Sequence, residues 1–467
     1  MKYYSTRNKN LIKTLEEAVT QGLAEDQGLF MPEVIPQFQE SFFRDIHHMN
    51  FQEIALIVAK KFFTGDIPDN DLEKITLEAI NFDTPLVHIH DRIFTLELFH
   101  GPTFAFKDVG ARFMARLLGY FIRSYTREVN VLVATSGDTG SAVANGFWKV
   151  PGIKVHILYP KGLVSTIQEH QFTTLGDNIT ALEIKGNFDD CQKLVKTAFL
   201  DPDLKSRCTL TSANSINIAR LIPQTFYYFN GYAQLPTPIQ DLYIAVPSGN
   251  FGNLTAAMIA GRMGLPVKKY IAATNINDIV PEYLKTGQFI PRPSIATIAN
   301  AMDVGNPSNF HRILDLYGHS HSKINEAVSG YSYSDDQIRE IIGNVYRKYG
   351  YVLDPHGATG YQALSDYLLK TATATKDMGD ADKLNSGVLN VTALNANAPN
   401  KPIKDTPGSI GFFIETAHPA KFADTIEEVI GKKIEIPESL RKAMDKIPIK
   451  TTLSSDYKNL RDYLLAV

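Results

Sequence analysis

Apolar and polar positions along this chain follow two rhythms. Up to about residue 90 they recur with helical period, as in "LEEAVTQGLAE" and "FQEIALIVAKKFF", punctuated by Pro and Gly. That pattern predicts a helical accessory unit. From about residue 129, short β-rich runs end in Gly-rich turns and pass into helical stretches, the signature of strand–helix–strand units on a parallel sheet. Four such units are "VNVLVAT" before "SGDTGSAVANGF", "DLYIAVPSG" before "NFGNLTAAMIAGRMG", "GYVLDPHGATG" before "YQALSDYLL", and "GSIGFFIET" before "AHPAKFADTIEEVIG". The predicted class is α/β, with parallel-sheet domains and flanking helices. The four loops fall at carboxyl ends of strands, where open α/β sheets bind ligands. Residues 376–405, rich in Asn, Asp, Ala and Lys, interrupt the last two units and predict a surface insertion.

Size and charge narrow the function. At 467 residues the chain exceeds what one core supports, so two or three domains are expected. Lys plus Arg number 47 against 50 for Asp plus Glu, a net charge of -3, which gives no broad attraction to nucleic acid or an anionic membrane. A small-molecule partner is expected. The two cysteines, Cys191 and Cys208, form neither a disulfide framework nor a thiolate metal motif, which suits a reducing cytoplasm. The opening residues lack a signal-peptide pattern and no apolar run approaches the ~18 residues of a membrane span, so a soluble cytoplasmic protein is expected.

Three stretches carry candidate chemistry. In "PSGNFGN", Gly249 and Gly252 follow an apolar strand and open a helix, whose free N–H groups suit a phosphate. The spacing matches neither a dinucleotide fingerprint nor a P-loop; a plain strand-to-helix turn is the alternative. In "TSGDTGSA", hydroxyls of Thr135, Ser136 and Thr139 with backbone donors around Gly137 suit a carboxylate or phosphate, against an ordinary capped turn. Lys107 lies close to Phe104 and Phe106 in "GPTFAFKD". Desolvation would lower its pKa towards the neutral amine that carbonyl chemistry needs, and a carbonyl cofactor that carries a phosphate is pyridoxal phosphate. Taken alone, the lysine reads more simply as one that snorkels to water.

Eight stretches taken together resemble a known family. "HGPTFAFKD", "ATSGDTGSA", "LYPKG", "TLGDNI", "SANSINIAR", "VPSGNFGN", "LDPHGATG" and "TAHPAKF" occur in the order found in the fold type II pyridoxal phosphate enzymes, the tryptophan synthase β-like group. Within that group they are similar to the threonine synthase family in its longer microbial form. The resemblance extends to about residue 425 and is weakest in the insertion. It implies an N-terminal accessory domain at 1–95, a substrate-binding domain carrying the lysine at 96–225, and a cofactor-phosphate domain at 226–467. It further implies pyridoxal 5'-phosphate as cofactor, O-phospho-L-homoserine as substrate, and L-threonine and phosphate as products. A monomer is favoured over a homodimer.

By the same resemblance Lys107 forms the Schiff base with the cofactor and moves protons. Gly249, Asn250, Phe251, Gly252 and Asn253 would cradle its phosphate, and Thr416 would stand beside the pyridine nitrogen unless it only caps a helix. Thr135, Ser136, Gly137 and Thr139 would receive the substrate carboxylate; Asn214, Ser215 and Arg220 would receive its phosphate, with Lys161 and Ser165 as weaker candidates. Asp138 departs from the asparagine common in the wider group and cannot donate a hydrogen bond while ionised. His356 is read as a turn-bonded histidine, "HIHD" and "HSHS" as carrying no metal, and Trp148 with "FMARLLGYF" as core. Two other readings are a dehydratase of the same fold and a catalytically idle binding homologue.

Overall fold

A computed structural model describes residues 1–377 and 408–466. The predicted insertion at 376–405 lies outside them, except for two positions that end the helix Pro355–Asp377. Strands run in chain order as β1 (Lys2–Ser5), β2 (Ile12–Thr14), β3 (Phe30–Pro32), β4 (Leu86–His90), β5 (Ile93–Glu97), β6 (Val129–Ala134) and β7 (Ile153–Pro160). They continue as β8 (Ile179–Lys185), β9 (Thr209–Ser212), β10 (Ile239–Pro247), β11 (Val267–Thr274), β12 (Val328–Ser332), β13 (Gly408–Glu415) and β14 (Thr451–Ser454).

The first three strands make a small antiparallel sheet, ordered β2-β1-β3. A six-stranded sheet is ordered β12-β11-β10-β13-β5-β4 and is parallel except for its edge strand β4. A five-stranded parallel sheet is ordered β14-β8-β7-β6-β9. The inner strands of both parallel sheets are buried almost throughout, because helices cover both faces and every side chain must be apolar or paired. The helices read from sequence near the N-terminus occur at Leu15–Gln21 and Phe51–Phe63, each opened by a capping box.

Three expectations need correction. Residues 351–354 of the third quoted unit form no strand. Gly350 ends the helix Asp335–Tyr349 in a left-handed conformation and Asp354 opens the next, which leaves a run too short to pair. Trp148 is 39% exposed, with its indole N–H donating to Asp177 at 2.9 Å, while the neighbouring helix Lys107–Ile122 buries Phe113, Met114, Leu117 and Leu118 as expected. Finally, sheet membership crosses the boundaries expected at 95/96 and 225/226. The strands β4 and β5 join the sheet that holds β10 and β13, and β14 returns to the sheet that holds β6.

A buried ion pair joins the loops that follow strands of the two parallel sheets. Asp138 begins the helix Asp138–Phe147 after β6, and Lys421 lies in the turn Pro419–Phe422 after β13. Their side chains are 3% and 0% exposed and meet at 2.7 Å, with Gln168 Nε2 donating to the same Asp138 oxygen at 2.8 Å. Burial alone would raise the Asp138 pKa, but the charges of Lys421 and Lys107 outweigh it and hold the carboxylate ionised. Removing one partner of a buried pair strands the other. Lys421→Met is therefore expected to reduce unfolding free energy by about 3–5 kcal/mol, with Asp138→Asn restoring part of it in the double variant. Denaturant unfolding of the four proteins of that cycle checks this; additive losses would show that the pair is not coupled.

Candidate active site

Lys107 is placed by its backbone neighbours. Phe106 N–H donates to the Thr416 carbonyl at 2.9 Å, His418 N–H donates to the Phe104 carbonyl at 3.1 Å, and Ala105 bridges Ala417. These bonds fasten the turn before the lysine to the end of β13. Within the turn, buried Asp108 accepts from the Thr103 N–H at 2.9 Å and from its hydroxyl. Lys107 lines a cavity at the carboxyl ends of both parallel sheets, its Nζ 5.5 Å from the Phe106 ring centre. No hydrogen bond or ion pair from a described residue holds that amine. Burial lowers its pKa to about 8; Asp138 opposes the shift and the Arg220 and Lys421 charges add to it.

Opposite it, the loop after β10 enters the helix Gly252–Arg262. Gly249 is required by a close approach, since a Cβ there would lie 2.6 Å from the Met302 Cα. Phe251 takes a left-handed φ of 62° before the helix, a costly conformation for a large side chain. The turn is pinned by Asn253, which donates to the Pro247 carbonyl at 2.7 Å and accepts from the Ser248 hydroxyl at 2.8 Å. The N–H groups of Gly249, Asn250, Phe251 and Gly252 have no acceptor among the described residues. Such a row of free donors at a helix start, facing a lysine across an enclosed space, fits the phosphate and the carbonyl of pyridoxal phosphate. Thr416, 6% exposed, lines the cavity beside them and caps no helix, because His418 and Phe422 hold the cap positions that follow.

The remaining expected residues divide. Ser136, Thr139, Asn214, Ser215 and Arg220 line the cavity. Thr135 and Gly137 do not: the Thr135 hydroxyl accepts from the Gly137 N–H at 2.9 Å and the Gly140 N–H at 2.8 Å, so both are spent inside the loop. Gly137 has a φ of 143°, which few other residues adopt. The Asn214 amide bridges back to Ala134, its Nδ2 donating to the carbonyl at 2.7 Å and its Oδ1 accepting the N–H at 3.1 Å. Arg220 is 2% exposed, donates to the Ala213 carbonyl, and leaves its Nε without a partner. Burial lowers its pKa to about 10, so it remains a cation at neutral pH. Lys161 and Ser165 lie outside the cavity: Lys161 is exposed and 3.5 Å from Glu183, and Ser165 caps the helix Thr166–Thr173.

His356 lines the cavity from the start of the helix Pro355–Asp377, and its Nδ1 is bound to Asp354 at 2.6 Å. It is both turn-bonded and at the site. His90 and His321 are held by Tyr361 and the Tyr283 carbonyl. Among the described residues no group of three or more His, Cys, Asp or Glu is placed to hold a metal ion, and no helix is long and apolar enough to cross a membrane. Sequence reading missed Lys421 and Arg312, which act behind the surface, and Gln192 with Lys196, one turn apart on the helix Phe188–Ala198, which line the cavity. The i, i+4 spacing of that pair was the only available signal.

Comparison with known proteins agrees with this geometry. Residues 78–378 match the family described as pyridoxal-phosphate dependent enzyme, residues 2–80 match the threonine synthase N terminus, and residues 392–464 match the threonine synthase C-terminal family. Relationship therefore continues well past residue 425. The threonine synthase of Escherichia coli is 39% identical over 466 residues, covering 100% of this chain and 99% of its own. Its crystal structure superposes with a TM-score of 0.86 at 38% identity over all of both chains. The threonine synthase of Brucella melitensis, solved with pyridoxal phosphate bound, gives 0.85 at 33% identity over 99% of this chain and 98% of its own. With family models and relatives matching from end to end, one conclusion is left: the chain belongs to the threonine synthase family of pyridoxal-phosphate-dependent enzymes.

Proposed function

We propose that this cavity is where the chain performs its threonine synthase reaction, the conversion of O-phospho-L-homoserine and water to L-threonine and phosphate. The observation that carries the reading is the unpaired Lys107 amine facing the free N–H row of residues 249–252 across one enclosed space. Pyridoxal phosphate, when bound, supplies the electron sink that acidifies Cα and then Cβ of an attached amino acid. Lys107 holds the cofactor between turnovers and, once displaced by the substrate amine, carries protons at Cα. Gly249, Asn250, Phe251, Gly252 and Asn253 bind the cofactor phosphate, and Thr416 offers a neutral hydroxyl to the pyridine nitrogen.

Ser136 and Thr139 receive the substrate carboxylate on a loop that Thr135 and Gly137 keep in shape. Ser215 and Arg220 receive the substrate phosphate, and Asn214 fastens their segment to the carboxylate loop. Arg220 has the stronger attraction for a phosphate dianion because its charge is withdrawn from water without a carboxylate in contact. The dehydratase reading does not account for this second anion site, which an unphosphorylated amino acid would leave empty.

Mixing cofactor-loaded protein with O-phospho-L-homoserine should release phosphate and threonine in equal amounts, and Lys107→Ala should reduce both to background in a folded protein. Phosphate accompanied by 2-oxobutyrate would mean elimination without water addition and would overturn the assignment.

A second expectation concerns pH. Only the neutral Lys107 amine can attack the cofactor aldehyde, and its pKa is lowered to about 8. Cofactor capture by the apoprotein, followed by visible absorbance, should rise about tenfold per pH unit below that value and level off above it. A plateau delayed to the ordinary lysine range would show that burial does not tune the amine.

A further inference from the structure

Arg312 lies behind the cavity on the helix Phe310–Leu316 and is wholly buried. Its guanidinium spends every N–H on protein oxygens. Nε and Nη2 donate to the Phe30 carbonyl at 3.2 and 3.0 Å, Nη2 to the Ile216 carbonyl at 2.7 Å, and Nη1 to the Ser215 carbonyl at 3.0 Å and the Asn309 Oδ1 at 2.6 Å. Among the described residues no carboxylate forms an ion pair with it, and burial lowers its pKa to about 9 without making it neutral at pH 7. With no donor left for a ligand, Arg312 cannot bind substrate itself.

Its effect passes through Asn309. Because Oδ1 of Asn309 accepts from Arg312, the amide must turn its Nδ2 to the Ser215 hydroxyl, which it meets at 3.0 Å. Asn250 is oriented in the same sense, since its Oδ1 accepts the Ser308 N–H at 2.6 Å and its Nδ2 donates to the same hydroxyl at 2.9 Å. The Ser215 oxygen thus accepts twice, and its own hydrogen is left for an acceptor in the cavity it lines. The Ser215 and Ile216 carbonyls are meanwhile drawn back onto the guanidinium.

We propose that Arg312 is a positioning residue for the substrate phosphate: through the Asn309 amide it makes the Ser215 hydroxyl a donor towards the cavity, and through the Phe30 carbonyl it ties this arrangement to the N-terminal unit. The proposal rests on the reading that Ser215 meets the substrate phosphate. Lysine cannot replace the fork, because an ammonium is a point donor that does not reach two separate backbone segments and the Asn309 amide in one plane.

The test uses cofactor-loaded protein and two readouts, the Michaelis constant for O-phospho-L-homoserine and competitive inhibition by inorganic phosphate, in Arg312→Lys, Ser215→Ala and the double variant. Both constants are expected to rise about tenfold or more in each single variant, with little further rise in the double, because the two changes remove one hydrogen bond. Bound cofactor, read from visible absorbance, and kcat should change far less. Additive effects, or an Arg312→Lys protein that lowers kcat and cofactor content while phosphate inhibition is unchanged, would overturn the relay. Weakened phosphate inhibition in Ser215→Ala but not in Arg312→Lys would sink the inference alone. No change in either would sink the phosphate reading beneath it. Should Arg312→Lys fail to fold, Asn309→Ala removes only the relay and must reproduce the loss of phosphate inhibition; unchanged inhibition there overturns the proposal equally.

Discussion

Positive charge held away from water is the constraint around which this cavity is built. Arg220, Arg312 and Lys421 are buried within or behind it and Lys107 is half-buried in its wall, and an unpaired buried charge is costly. They are handled in three ways. Lys421 meets a carboxylate, Arg312 is saturated by carbonyl oxygens, and Lys107 and Arg220 line the cavity with no ion-pair partner among the described residues.

Two buried carboxylates near this arrangement show how finely the balance is set. Asp108 is also buried, yet its pKa is raised, because desolvation outweighs the bonds from Thr103. Asp138, with Lys421 in contact, shifts the other way. Each contributes to the field at Lys107 or Arg220 without lining the cavity. A like substitution at the two positions would have unlike effects on the lysine.

Much of this could be read from the chain, and the reason is local. The loops after β6, β10 and β13, the turn before Lys107 and the segment 212–220 each carry their chemistry in a few consecutive residues, and strand-to-helix junctions place such loops at one end of a sheet. What stayed hidden depends on distance along the chain. Asp138 and Lys421 are 283 positions apart, and Arg312 reaches Phe30 across 282. Thr135 shows a subtler limit: its residue type fits an anion loop, but only the fold reveals that its hydroxyl is consumed by Gly137 and Gly140. Trp148 reads as core beside the apolar stripe, whereas in the fold a surface aspartate serves its indole. The run at 350–354 had a strand's composition without room for one.

The position of β14 bears on how the chain reaches this state. It pairs with β8 as the edge of the five-stranded sheet, and the helix that follows, Tyr457–Ala466, buries Leu460 and Leu464 against strands and helices formed some 250 residues earlier while Arg461 bridges Asp201 and Asp203. During synthesis, then, the edge of β8 and its apolar surroundings stay open until residues 451–466 have been added. Without β14, β8 presents a bare strand edge, ready to pair with another molecule. Residues 451–466 thus guard the sheet against aggregation although they line no part of the cavity.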